Sequence, residues 1–142
     1  MPRPTRPPIG LHLTRAARGV SRAFDDALAE VGGSMPAWLI LISLKTRSLG
    51  NQRELAEAVG IRGATLTHHL NAMEDDGLVA RRRDPENRRI QRVELTEAGE
   101  AAFHRMREAA TAFDERLRRG LSEAELATFE TLLDRLHDNV SG

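Results

Sequence analysis

The 142-residue sequence has no cysteine and no tyrosine, one tryptophan and four phenylalanines. Without cysteine there can be no disulfide, no thiolate metal site and no cysteine redox sensor. So few aromatics argue against a sheet sandwich and favour an aliphatic core built from helices. No apolar run approaches the ~18 residues of a membrane span, and the N-terminus has no apolar stretch of signal-peptide type. The expected location is therefore cytoplasmic, with no membrane partner. Nucleophile motifs, carboxylate dyads and glycine-rich phosphate loops are also missing, so neither an enzyme nor a cofactor is expected. Net charge is absent too, because 21 basic side chains balance 21 acidic ones.

That neutrality hides an asymmetry. Residues 1–96 hold 15 basic and 11 acidic groups, and residues 97–142 hold 6 and 10. Six arginines fall within residues 81–92, in "RRRDPENRRIQR": Arg81, Arg82, Arg83, Arg88, Arg89 and Arg92. A cluster this dense on a neutral chain needs a polyanionic partner or a solvated loop to explain it.

Periodicity and punctuation predict the chain's order. "MPRPTRPP" holds four of the six prolines and reads as a disordered arm over residues 1–8. Residues 9–31 carry Leu13, Ala17, Val20, Phe24, Leu28 and Val31 at helical spacing, and Gly32-Gly33 stops that helix. Ser34 is an N-cap for a second helix that is apolar on nearly every side from Trp38 to Leu44, which predicts a core position. Two short helices follow. The first runs from a cap at Asn51 to Gly60, and the second from about Arg62 to Gly77. The second should bury Leu66, Leu70 and Met73 and expose Thr67, His68 and Asn71. Its acidic end, "EDDG", runs against the helix dipole. "LVARRRD" and "IQRVELT" flank a "PENR" turn and read as a short β-hairpin. Thr96 opens a long helix with an expected stripe of Ala98, Ala102, Met106, Ala109, Ala110, Phe113 and Leu117. Gly120 ends it, and a Ser122/Glu125 capping box opens the last helix.

Two short helices and a tight turn fit a helix-turn-helix, and a hairpin directly behind them makes it winged. This gives the arginines a use. Phosphate neutralisation supplies most non-specific DNA affinity, and a wing tip can place an arginine in a narrow minor groove. His68-His69 is a weak metal candidate, since adjacent helix residues point about 100° apart, and no metal is expected. Two alternatives stay open. One is a winged-helix protein-interaction module, which a neutral or acidic wing would favour. The other is a non-specific architectural DNA binder without an effector.

The stretch "NQRELAEAVGIRGATLTHHLNAMEDDGLVARRRDPENRRIQRVELTEAG", residues 51–99, resembles the core of the MarR family, and the resemblance extends over roughly residues 9–140. It implies a mainly α (α+β) fold, a winged helix-turn-helix with long N- and C-terminal dimerisation helices. The DNA-binding lobe would be residues 35–96 within a single domain of 9–142, with 9–34 and 97–142 dimerising. It implies a homodimer reading a pseudo-palindromic operator in double-stranded DNA, most simply as a repressor. Release by a small aromatic or phenolic effector is also implied. By position, Arg62, Gly63, Thr65, Thr67, His68 and Asn71 belong to the reading helix. Arg89 matches the wing arginine of the minor groove, with Arg88 beside it, and Arg81, Arg83 and Arg92 match phosphate contacts. The chain departs from the family at His68, where arginine is common, and at Asn87, where aspartate is. An effector pocket is expected near His12, Arg15, Met35 and Trp38. Trp38 falls where the family often has an aromatic, and it also has a simple reading as a core residue. The dimer seam is expected at Leu121, Leu126, Phe129, Leu132, Leu133 and Leu136.

Overall fold

A computed structural model describes residues 6–46 and 52–142. The expected cap at Asn51 and most of the predicted arm lie outside the described residues. The elements are α1 (Ile9–Ala29), α2 (Met35–Thr46), α3 (Gln52–Val59), α4 (Gly63–Asp75), β1 (Val79–Arg83), β2 (Gln91–Leu95), α5 (Glu97–Leu117) and α6 (Glu123–Val140). This is the predicted order. The chain divides into two compact units, one ending at Ala110 and one running from Thr111 to Gly142.

In the first unit α2 packs against α1, α3, α4 and β2. Ser34 caps it as expected, its hydroxyl accepting from the Ala37 N–H at 3.2 Å. Trp38, Ile40 and Leu41 are buried, while Leu39 is exposed, so α2 is not apolar-packed on every side. Leu28, Leu55, Leu66, Leu70 and Met106 complete the fully buried set, and each such side chain contributes about 1.5–3 kcal/mol by leaving water. α5 supplies Ala102, Phe103 and Met106 to this core. Phe103 was missing from the expected stripe, and Ala98, which was in it, is exposed. Phe103 stacks on Trp38 with centroids 5.8 Å apart and an interplanar angle of 10°. α1 departs further from expectation. Of its predicted apolar stripe only Leu28 is buried, with Phe24 and Val31 half-buried and Leu13, Ala17 and Val20 exposed.

The helix α4 ends in a Schellman turn. The Leu78 N–H donates to Met73 O at 2.9 Å and the Gly77 N–H to Glu74 O at 2.9 Å. Gly77 sits at φ +75°, a conformation that costs a Cβ-bearing residue about 1 kcal/mol or more. The turn delivers the chain directly into β1, which pairs antiparallel with β2 from Val79↔Leu95 to Arg83↔Gln91. Thr96 caps α5 by accepting from the Gly99 N–H at 3.0 Å, and its own N–H donates to Leu78 O at 3.1 Å. The hairpin and the start of α5 are thus tied at one point, and Gly99 is buried against it.

In the second unit the Ser122/Glu125 capping box forms as expected, with Ser122 Oγ accepting from the Glu125 N–H at 3.1 Å. No residue of α6 is buried.

Candidate nucleic-acid interface

The helix-turn-helix is α3, the turn at Gly60–Arg62 and α4. Leu66, Leu70 and Met73 anchor α4 in the core, which turns the opposite face outward. Arg62, Gly63, Thr65, His68 and Asn71 are exposed on it. Thr67 differs from expectation. It is half-buried, its hydroxyl donates to Gly63 O at 2.9 Å, and it accepts from Gln52 Nε2 at 2.8 Å. This hydroxyl bridges α3 and α4.

The wing has an internal logic that the arginine count concealed. Strand alternation puts Val79 and Arg81 on the same face, and Val79 and Val93 are buried. Arg81 therefore points toward the body of the lobe, with 17% of its side chain exposed. Its Nη2 donates to Glu74 Oε1 at 3.0 Å and to Asn71 Oδ1, and its backbone N–H donates to Glu74 Oε2 at 3.3 Å. The hydrogen bond from Arg81 holds the Glu74 carboxyl below its ordinary value. This accounts for the acid placed against the α4 dipole, because Glu74 faces a guanidinium across the turn. Arg81, expected on phosphate, has its Nε and Nη2 on α4, and Glu74 is its ion-pair partner.

Arg82 and Arg92 stand directly opposite in the register, and like charges so placed repel. Each has an acid to offset this. Arg92 Nε and Nη2 donate to Asp84 Oδ2 at 3.2 and 3.0 Å, and Arg82 lies 3.7 Å from Glu94. Asp84 is buried and also accepts from the Glu86 N–H at 2.9 Å. That backbone bond, and then Arg92, hold its carboxyl below its ordinary value. Arg92, also expected on phosphate, is thus paired within the hairpin, though half of its side chain remains exposed. Asp84 is a structural residue that sequence reasoning missed, and the signal was available as an acid one residue past an arginine strand. Asn87 Oδ1 accepts from the Arg89 N–H at 3.2 Å, so Asn87 shapes the tip's backbone.

Arg62, Arg83, Arg88 and Arg89 are exposed, and among the described residues none has an acid within ion-pair distance. Among the described residues, the positive charge of the lobe without an acid partner therefore lies at the start of α4 and toward the wing tip.

His12 and Arg15 are exposed on α1, Met35 is half-buried with its N–H on Asp25 Oδ1 at 2.9 Å, and Trp38 is 8% exposed in the core. On α6 and its approach, Leu121, Phe129 and Leu132 are 48%, 55% and 47% exposed, with Leu126, Leu133 and Leu136 half-buried. Among the described residues no three His, Asp or Glu side chains converge as metal ligands, and no helix is long and apolar enough to cross a membrane.

A model of the MarR family matches residues 34–91. Among solved structures, the transcriptional regulator PA3341 is 30% identical with a TM-score of 0.76, over 94% of this chain and 98% of its own. The transcriptional repressor CouR bound to a 23-mer DNA duplex is 28% identical with a TM-score of 0.82, over 92% of each chain. CouR from Rhodococcus jostii RHA1 bound to p-coumaroyl-CoA is 25% identical with a TM-score of 0.75, over 90% of each chain.

Proposed function

The chain belongs to the MarR family of transcriptional regulators, and on that premise we propose that it is a dimeric repressor released from its operator by a small aromatic ligand. Residues 35–96 are the DNA-binding lobe. α4 enters the major groove, with Arg62, Gly63, Thr65 and His68 toward bases and backbone and Asn71 toward bases, and Arg88 and Arg89 meet the minor groove. Arg83 neutralises phosphate. Arg81 and Arg92 act as braces that set the wing's angle to α4, and Thr67 holds α3 against α4. One observation carries this reading. Among the described residues, the lobe's arginines without an acid in ion-pair distance are Arg62 at the start of α4 and Arg83, Arg88 and Arg89 at the end of β1 and the wing tip, while Arg81, Arg82 and Arg92 are paired with Glu74, Glu94 and Asp84.

Dimerisation is supported by exposed apolar side chains that water disfavours. Ile9, Leu11 and Val20 on α1 and Phe129 and Leu132 on α6 are 39–66% exposed. A recognition helix alone reads one half-site, and a pseudo-palindrome needs two held about 34 Å apart. The effector pocket is proposed near Met35 and Trp38, where α2 meets the C-terminal part of α1, with His12 and Arg15 standing about 15–20 Å further up α1. A ligand there shifts binding only if it favours the DNA-free conformation.

Selection of bound sites from a random DNA pool tests the proposal. The expected result is an inverted repeat with half-sites one helical turn apart. Binding that ordinary competitor DNA abolishes would make the protein an architectural binder. No enrichment at all, at low salt, would leave the wing as a protein-interaction surface.

A further inference from the structure

The two grooves of a duplex are separated by a sugar–phosphate backbone. If α4 fills the major groove and the wing tip the adjacent minor groove, one backbone must cross the gap between α4 and the hairpin. The C-terminal half of α4 is closed to it, because Asn71 and Glu74 are bonded to Arg81 of β1. The N-terminal side is open. A cleft of about 630 Å³ is lined there by α3, the turn and the start of α4, including Arg53, Glu57, Arg62, Gly63 and Thr67. A second, of about 560 Å³, is lined by Gln52, Arg53, Arg89, Ile90 and Gln91. Gln52 and Arg53 are the two residues common to both.

Their chemistry separates their roles. Gln52 is neutral, one N–H of its Nε2 is on Thr67, and Oε1 is an acceptor, which an anion does not need. The Arg53 side chain is 90% exposed, and Glu57, the acid within ion-pair distance among the described residues, is 3.8 Å away on the same exposed face, a pair worth little in water. We propose that Arg53 is a phosphate contact, gripping the DNA backbone where it passes between the recognition helix and the wing. This rests on the DNA-binding reading above and adds a contact from the first helix of the motif. It makes the grip three-sided, with Arg62 before the strand, Arg89 beyond it and Arg53 beneath.

The test is fluorescence anisotropy of the selected operator between 50 and 200 mM salt, with wild type, Arg53→Ala and Arg53→Lys. Each phosphate contact contributes about 0.9 to the slope of log affinity against log salt. Because each protomer of a dimer brings one Arg53, Arg53→Ala should lower the slope by about 1.8, so that across this range it loses roughly twelvefold less affinity than wild type. Base preference should be unchanged and Arg53→Lys should retain the slope. An unaltered slope in Arg53→Ala overturns the inference. So does an altered base preference, or a lowered melting temperature accompanied by equal affinity loss at all salts. Wild-type protein that shows no salt-dependent binding would instead remove the DNA-binding reading itself.

Discussion

Gly99 stands where two physical effects of opposite sign compete. It lies in the first turn of α5, where alanine would ordinarily be favoured over glycine by about 1 kcal/mol on helix propensity. A Cβ at this position, however, would fall 2.0 Å from Leu78 O, 3.0 Å from Leu78 C and 3.2 Å from Leu95 Cδ2. Leu78 O is backbone at the foot of the hairpin, already accepting from the Thr96 N–H at 3.1 Å, and the Leu78 N–H is held by Met73 O at 2.9 Å. To reach an ordinary carbon–oxygen contact, α5 and β1 must separate by about 1 Å, and forced overpacking of this kind costs about 1–3 kcal/mol or more. The clash should therefore outweigh the propensity. The net loss for Gly99→Ala is about 1–2 kcal/mol, a fall of about 5 °C in melting temperature. Gly33→Ala is the control. Its Cβ would meet Met106 Cε at 2.7 Å and Sδ at 2.8 Å, but a thioether can change rotamer, and the loss should stay under about 1 kcal/mol. Thermal melts at one fixed protein concentration would decide, since an associating protein melts in a concentration-dependent way. If Gly99→Ala melts with wild type, or both variants lose the same, then carbonyl rigidity does not govern this junction.

The remaining expectations concern the wing, acid, assembly and ligand. Arg89→Ala should weaken operator binding by roughly 1–3 kcal/mol at unchanged melting temperature, whereas Arg81→Ala should lower both affinity and melting temperature. Identical behaviour of the two would erase the distinction between contact and brace. Glu74 and Asp84 are both held below their ordinary values of 4.5 and 3.8, so their stabilisation is present above those values and is lost as pH falls through the lower folded-state values. Denaturant midpoints should hold steady from pH 7 to about 5 and fall below that, with a shallower fall in Glu74→Gln. Wild type should sediment as a dimer at micromolar concentration and Phe129→Glu as a monomer, and a monomeric wild type would defeat the assembly reading. An aromatic acid should quench Trp38 and lower operator affinity together. Quenching with affinity intact would leave Trp38 as a core residue stacked on Phe103.

Much of this architecture was legible in the residues because it is local. Helix order, the Ser34 cap, the Ser122/Glu125 box, the stop at Gly77 and the "PEN" turn depend on residues within about five positions of one another, and each lies where it was expected. The burial of Leu66, Leu70 and Met73 follows from a period of 3.6 and needed nothing more. The arginine cluster was equally plain, and so was the lobe that carries it. Which of those arginines are free was decided only in three dimensions. Arg81 shares a strand face with Val79, and the turn at Gly77 folds that face back onto α4, so a guanidinium seven residues from Glu74 and ten from Asn71 meets both. Thr67 met Gln52 from fifteen residues away, and Phe103 entered the core because α5 approaches Trp38 of α2 from across the chain. The exposed apolar residues of α1 and α6 are the converse case. Their periodicity named a buried face, but periodicity says only that a face will avoid water, not which surface will cover it.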